Sequence, residues 1–438
     1  MTQLSSILAV ALLTAAALPA AAQTNGSNSP YSRYGFGLLS DGANAFNKGM
    51  AGTAYGMRNG TQLNTKNPAS YAAIDSLAFL FDLGMSLQNA NLSQGGVKTN
   101  AKNTSIDYVT AGFRVAKGLG MSVGLLPYST IGYSTKSTST LSTSTGDVTQ
   151  SNSYSGDGGL HEVYAGIGWE PFKNLSFGVN AGYLWGTFDH TMLMTFDDTS
   201  INSIRQAYEA DIRTYKVDFG LQYAFRLNKK NAFTIGLTYG LGHDINDKSQ
   251  YYNQKVVSST VSGGDTLTCR NAFQLPHTFG AGLAWTYKNS LRVGADYTFQ
   301  KWGSVKYPSV VATDEYDTQG YVSQTGLLSD MHQVSVGAEY VPNPEGLRWR
   351  QHVRYTAGFS YSTPYIKTDM GKGPKHYLAS LGISLPITNM YNNRTRLNIA
   401  AQYEHVKPSM PGMITERYIR LSIGISFGER WFMKWKAE

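Results

Sequence analysis

From Tyr418 to Phe427 the chain alternates strictly: Ile419, Leu421, Ile423, Ile425 and Phe427 share one set of positions, and Arg420, Ser422, Gly424 and Ser426 fill the other. Successive side chains on a β-strand point to opposite faces, so this segment has one wholly apolar face and one polar face. A strand that is apolar outward, polar inward and closed by an aromatic suits the terminal strand of a transmembrane β-barrel. The same period of two begins at Ser76 with Leu77, Phe79, Phe81, Leu83, Met85 and Leu87. It recurs near 76–88, 103–116, 120–132, 160–170, 174–188, 205–226, 231–242, 273–287, 290–302, 330–341, 347–362, 375–385, 394–406 and 415–427. Short connections such as Lys117 to Leu119, Lys288 to Asn289 and Pro386 to Asn393 alternate with long ones at 89–102, 133–159, 189–204, 243–272, 303–329, 363–374 and 407–414. Short periplasmic turns alternating with long extracellular loops are the outer-membrane barrel rule, so the fold class is all-β, an antiparallel barrel of about fourteen strands. An even count puts both ends of the mature chain on the periplasmic side. A soluble sandwich also alternates, but its strands average about five or six residues and its loops are not sorted by length.

The predicted outward face gathers aromatics near strand ends, as in Leu175, Phe177, Val179, Ala181, Tyr183 and Trp185, or Leu291, Val293, Ala295, Tyr297 and Phe299. Such residues form girdles at the two lipid–water interfaces. The inward face carries Arg114, Lys216, Asp218, Arg292, Asp296, Glu339, Arg354, Glu404 and Arg420. Ser134 to Ser153 is rich in Ser and Thr and reads as a mobile surface loop.

Composition agrees with one large β-protein: of 438 residues, 46 are Gly and 29 Tyr, and 15% are charged. Residues 1–22 read as a secretory signal peptide, with the apolar run Ile7 to Pro19 followed by Ala20, Ala21 and Ala22, although no basic residue precedes the run. Residues 23–75 lack the alternation and read as a compact insert, 76–427 as the barrel and 428–438 as a periplasmic tail. That tail, with Trp431, Phe432 and Trp435 among basic residues, is either an interfacial anchor or a partner-docking segment. The net charge of +8 is scattered, which points to outer-membrane lipids rather than nucleic acid as the anionic counterpart. Cys269 is alone, so no internal disulfide is available.

Gly49-Met50-Ala51-Gly52 and Asn67-Pro68-Ala69, placed just before the first strand, resemble the FadL family of outer-membrane transport proteins. Ser29-Pro30-Tyr31-Ser32-Arg33-Tyr34-Gly35 and Glu429-Arg430-Trp431-Phe432 are similar to its Bacteroidetes branch. The resemblance implies a hatch or plug at 23–75 folded into the lumen, with Gly49, Met50, Gly52, Asn67, Pro68 and Ala69 in its motifs. It also implies uptake of long-chain fatty acids or aromatic hydrocarbons, with sideways release at a kinked strand. For that kink Pro127 is the candidate, because proline removes a ladder hydrogen bond; Pro127 also suits the end of its strand. Asn67-Pro68 likewise suits a plain turn.

The resemblance leaves two functions open: passive uptake of a small hydrophobic molecule, or service as a subunit or shuttle in an outer-membrane secretion or assembly complex with other outer-membrane or periplasmic proteins. The lumen charges Arg114, Asp218, Arg292, Asp296, Glu339, Arg354, Glu404 and Arg420 would either guide an acidic head group or form a salt-bridge network filling the barrel. No nucleophile motif accompanies His161, His277, His332 or His405, and no zinc, calcium or phosphate-loop spacing occurs. The expectation is therefore no enzyme activity, no metal and no cofactor.

Overall fold

A computed structural model describes residues 27–430, apart from 77, 144–145, 199, 258–259, 313–318 and 388–394. The signal peptide and Trp431 to Glu438 of the tail lie outside the described residues. The barrel strands are β1 (Ala78–Gln94), β2 (Val97–Ala116), β3 (Leu119–Thr143), β4 (Gly146–Phe172), β5 (Leu175–Phe196), β6 (Ser203–Arg226), β7 (Asn231–Gly240), β8 (Thr278–Tyr287), β9 (Leu291–Gln300), β10 (Met331–Tyr340), β11 (Arg354–Ser362), β12 (Lys375–Pro386), β13 (Arg396–Lys407) and β14 (Thr415–Arg430). Each pairs antiparallel with its neighbours, and β14 closes on β1 from Ser93↔Thr415 to Ala78↔Arg430. Closure gives a 14-strand barrel with no free strand edge across the apolar belt except at the break described below.

The alternation behaves as the sequence implies. In β14, Ile419 is 54% exposed while Ser422 is fully buried. Phe177, Phe219, Tyr297 and Tyr403 also face outward. The apolar face is therefore presented to lipid, and the polar face to a packed interior.

The strands run further than the apolar alternation marks. Residues 89–102 are not a loop: β1 and β2 continue to a two-residue turn at Gly95 and Gly96, both at positive φ. Ser134 to Ser153 is likewise not a surface loop but a continuous ladder, from Ser134↔Ser155 to Ser142↔Asp147. Beyond the membrane both faces of a ribbon meet water, so the apolar signal disappears while the ladder and the strand preference of Thr persist. The segment 243–272 contains a hairpin, Lys248–Val257 with Thr260–Arg270, that extends the top of β6. A second hairpin, Tyr307–Ala312 with Gln319–Gln324, lies within 303–329. In the other direction, β8 starts at Thr278 rather than near 273, because Ala272, Phe273 and Leu275 turn into a core. β11 starts at Arg354 rather than near 347, after a 3-10 turn at Trp349–His352.

Candidate functional site: the lumen and a break in its wall

Residues 44–74 lie inside the barrel and are held by inward side chains. Asn44 caps the single turn α1 (Ala45–Lys48) by accepting from Asn47 N at 2.9 Å. Asn67 caps the 3-10 turn Pro68–Ala73, accepting from Ala69 N at 3.2 Å and donating to Tyr55 O at 2.9 Å. Pro68 has no N–H to satisfy at the first position of that turn. An irregular backbone inside a barrel needs partners for its amides, and the wall supplies them. Asp296 accepts from Ala54 N at 2.6 Å and Tyr55 N at 2.8 Å. Gln222 donates to Tyr55 O at 2.9 Å. Ser380 accepts from Ala51 N at 2.8 Å, and Tyr108 OH accepts from Ala45 N at 2.9 Å. Contact is closest where the wall has no side chain: a methyl on Gly178 would overlap the backbone of Pro68 and Ala69, and one on Gly358 that of Met50 and Ala51. Met50, Asn67 and Ala69 are fully buried in these contacts, Gly49 lies against Thr356 and Gly382, and Gly52 takes φ +80°.

The inward charges form separate groups rather than one site. Glu339 of β10 accepts from Arg292 at 2.9 Å and Arg354 at 3.3 Å, and Arg354 also donates to Gln62 of the lumenal segment at 3.2 Å. Glu404 pairs with Arg420 at 2.5 Å and His376 at 2.7 Å. Asp218 pairs with Lys216, which also reaches Glu162 at 3.1 Å. Asp296 binds the two backbone amides above. Arg114 stands apart at the short-turn rim, donating to Ala116 O at 3.0 Å. Glu162 and His376 complete these groups; neither could be assigned from sequence, because each lies on a different strand from its partners.

The long-hairpin end is closed by a second core. The chain from Ser27 rises to this end, where Ser27 donates to Gly132 O at 2.8 Å and Ser29 to Glu416 at 2.7 Å. The first described residues thus sit opposite Arg430, whereas the even strand count alone placed both mature ends on one side. Phe36 is fully buried among Phe188, Phe273 and Trp302, with ring centroids 5.5, 5.7 and 5.2 Å away. Nothing in the local pattern of Gly35-Phe36-Gly37 marks it as a core residue, because its neighbours come from distant loops. Asp247 sits at the base of the 248–270 hairpin and accepts from Ala272 N at 3.0 Å; burial pushes its carboxyl up to about 6. Phe36→Ala is expected to cost this cap about 3–5 kcal/mol, seen as faster protease cutting in the 241–275 region while the barrel keeps its heat-modifiable gel mobility.

Between the cap and the lumenal segment lies a cavity of about 170 Å³, lined in part by Ser40, Lys66, Tyr128, Glu162, Lys216 and Asp218. Pro127 and Tyr128 of β3 form its side, and the wall is discontinuous there. β2 and β3 pair only from Ala116↔Leu119 to Val109↔Leu125. The β3–β4 register then shifts between Pro127 and Ser129. Proline has no N–H for the ladder and displaces the strand. Past this point the β3 edge meets residues 27–40 of the N-terminal segment, through Leu38↔Thr130, Leu39↔Ser129, Ser40 N to Tyr128 O at 2.9 Å and Ser27 to Gly132 O at 2.8 Å.

A closed 14-strand antiparallel barrel with an apolar outward face defines the class of outer-membrane β-barrels. Within that class the chain belongs to the BamG family, whose model matches residues 4–438. The structure is similar to the toluene transporter TbuX of Ralstonia pickettii, with a TM-score of 0.61 and 14% identity, covering 88% of this chain and 98% of that one. It is also similar to the CymD monoaromatic hydrocarbon channel, with a TM-score of 0.56 and 15% identity, covering 90% and 98%. A FadL homologue of Pseudomonas aeruginosa gives a TM-score of 0.56 and 12% identity, covering 88% and 98%. At these identities the likeness is one of fold. In sequence, the 25 kDa outer-membrane immunogenic protein of Brucella melitensis biotype 1 is 22% identical over 210 residues, covering 46% of this chain and 92% of that protein.

Proposed function

We propose that this protein is an outer-membrane barrel that passes small hydrophobic molecules and releases them sideways between β2 and β3. The observation that carries this reading is the break in the β2–β3 ladder at Pro127 beside an internal cavity. The lumenal segment obstructs the direct route to the short-turn end, so a solute in the cavity meets the gap before any axial path. Residues 23–75 would act as the hatch, with the Gly49 to Gly52 and Asn67 to Ala69 motifs as its fixed points. Lys216 is held by Glu162 and Asp218, and a cavity of about 170 Å³ suits a compact cargo, in the size range of a monoaromatic ring. The step is diffusive.

The test staples the gap. In Thr104→Cys/Thr130→Cys, a cleavable bis-maleimide would bridge the facing edges. Toluene uptake by cells carrying the stapled protein should fall at least about tenfold and recover on cleavage, about 1.4 kcal/mol in barrier terms. Unchanged uptake after stapling would rule out the sideways route.

The sealed mouth around Phe36 supports a second reading, in which the barrel is a subunit or shuttle of an outer-membrane secretion or assembly complex. Gentle purification followed by mass spectrometry separates the two. A stoichiometric lipophilic ligand supports transport, and a stoichiometric protein partner with an empty barrel supports the assembly role.

A further inference from the structure

The break between β2 and β3 continues past the apolar belt as two strand edges facing each other. From Val97 to Lys102, β2 bonds only to β1 among the described residues, between Val97↔Gln94 and Lys102↔Asn89, while Asn103 just below accepts from Asn28 of the N-terminal segment at 2.6 Å. From Ser134 to Ser142, β3 bonds only to β4 among the described residues. Each edge therefore presents a row of backbone N–H and C=O groups with no ladder partner, a ready template for another strand. The β3 edge already accepts one: Leu38 and Leu39 pair with it at Thr130 and Ser129, immediately below the open stretch. Apart from Val97, Ala101 and Leu141, the side chains along the open stretch are polar, and most are exposed, so its partner comes from water rather than lipid.

Charge narrows the partner. The cleft carries Lys98 and Lys102 on one edge and Lys136 on the other, all exposed, and 97–103 and 134–142 contain no acidic residue. Two carboxylates beside these stretches are engaged: Asp107 pairs with Lys48 at 2.7 Å, and Asp147 accepts from Ser142 at 2.7 Å. A second copy of the same edge would bring lysines together, and like charges directly opposite across a strand pair are destabilising. We propose that this cleft docks an extended acidic segment of a partner protein at the cell surface, added as a strand to the β3 edge. Backbone bonds would supply the affinity and the lysines the preference for acidic side chains.

The probe is a synthetic peptide of about ten residues alternating Val or Thr with Glu, titrated by fluorescence anisotropy against the full-length protein in neutral-lipid nanodiscs. It should bind at least about tenfold more tightly than its Lys-for-Glu counterpart, a difference of about 1.4 kcal/mol. N-methylation of alternate residues keeps the charge and removes the strand bonds, and should weaken binding by a similar factor. Lys98→Glu/Lys102→Glu/Lys136→Glu, checked for heat-modifiable mobility, should reverse the charge preference. Equal binding of the N-methylated peptide would show simple electrostatic attraction and overturn the proposal. So would the lack of binding by any peptide, or self-association of the protein through this edge.

Discussion

Gly178→Leu should release the lumenal segment while leaving the barrel closed. A side chain there must occupy the space of the Pro68 carbonyl and the Ala69 amide, both backbone atoms that cannot rotate away. Overpacking typically costs about 1–3 kcal/mol, and a clash with backbone belongs at the upper end or above it. The Pro68–Ala73 turn would lift from β4 and β5, taking with it the Asn67 bond to Tyr55. The strand ladders do not depend on this contact, so heat-modifiable mobility should persist. Two readouts are expected: trypsin cutting at Lys66, which is slow in the parent, and a rise in ion conductance across a planar bilayer. Unchanged conductance with normal folding would show that the segment does not occlude the lumen.

Glu339→Ala should have the second large effect, and on the barrel itself. Glu339 is 4% exposed and is the carboxylate shared by Arg292 of β9 and Arg354 of β11. Removing it leaves two partly buried guanidinium groups facing each other without a counter-charge. Breaking a buried pair typically costs about 3–5 kcal/mol because of the charge left behind. The unfolding midpoint in urea should fall accordingly. Adding Arg292→Leu should recover part of the loss, since the double change removes one of the stranded charges. If Glu339→Ala were neutral, the group would be solvated rather than structural.

The sequence-derived strands match the barrel because their signal is local. Ile419 to Phe427 needs no knowledge of its partners to declare two faces, and lipid on one side enforces that declaration at every second residue. The signal fails wherever lipid stops. The upper halves of β3 and β4 pair as regularly as the lower halves, yet Ser134 to Ser153 carries no apolar stripe and reads as loop. Among the charges, parity alone set the expectation of an inward direction. Glu339 joining Arg292 and Arg354 was not, because the three meet only through the register of β9, β10 and β11. Pro127 was legible as a ladder-breaker. That β2 and β3 part there, and that Leu38 and Leu39 take the vacated edge, was not.

By itself, then, the sequence determined a transmembrane barrel of even strand number and an N-terminal insert of different character. These follow from side-chain periodicity and turn spacing, which each strand reports independently. Only the tertiary structure decided where the β2–β3 ladder ends, which backbone the inward side chains hold, and how Phe36 is buried among distant loops. Those features depend on contacts between residues hundreds of positions apart, such as Ser29 with Glu416. Their geometry is set when the ring of strands closes, because closure brings every inward side chain to bear on one shared interior.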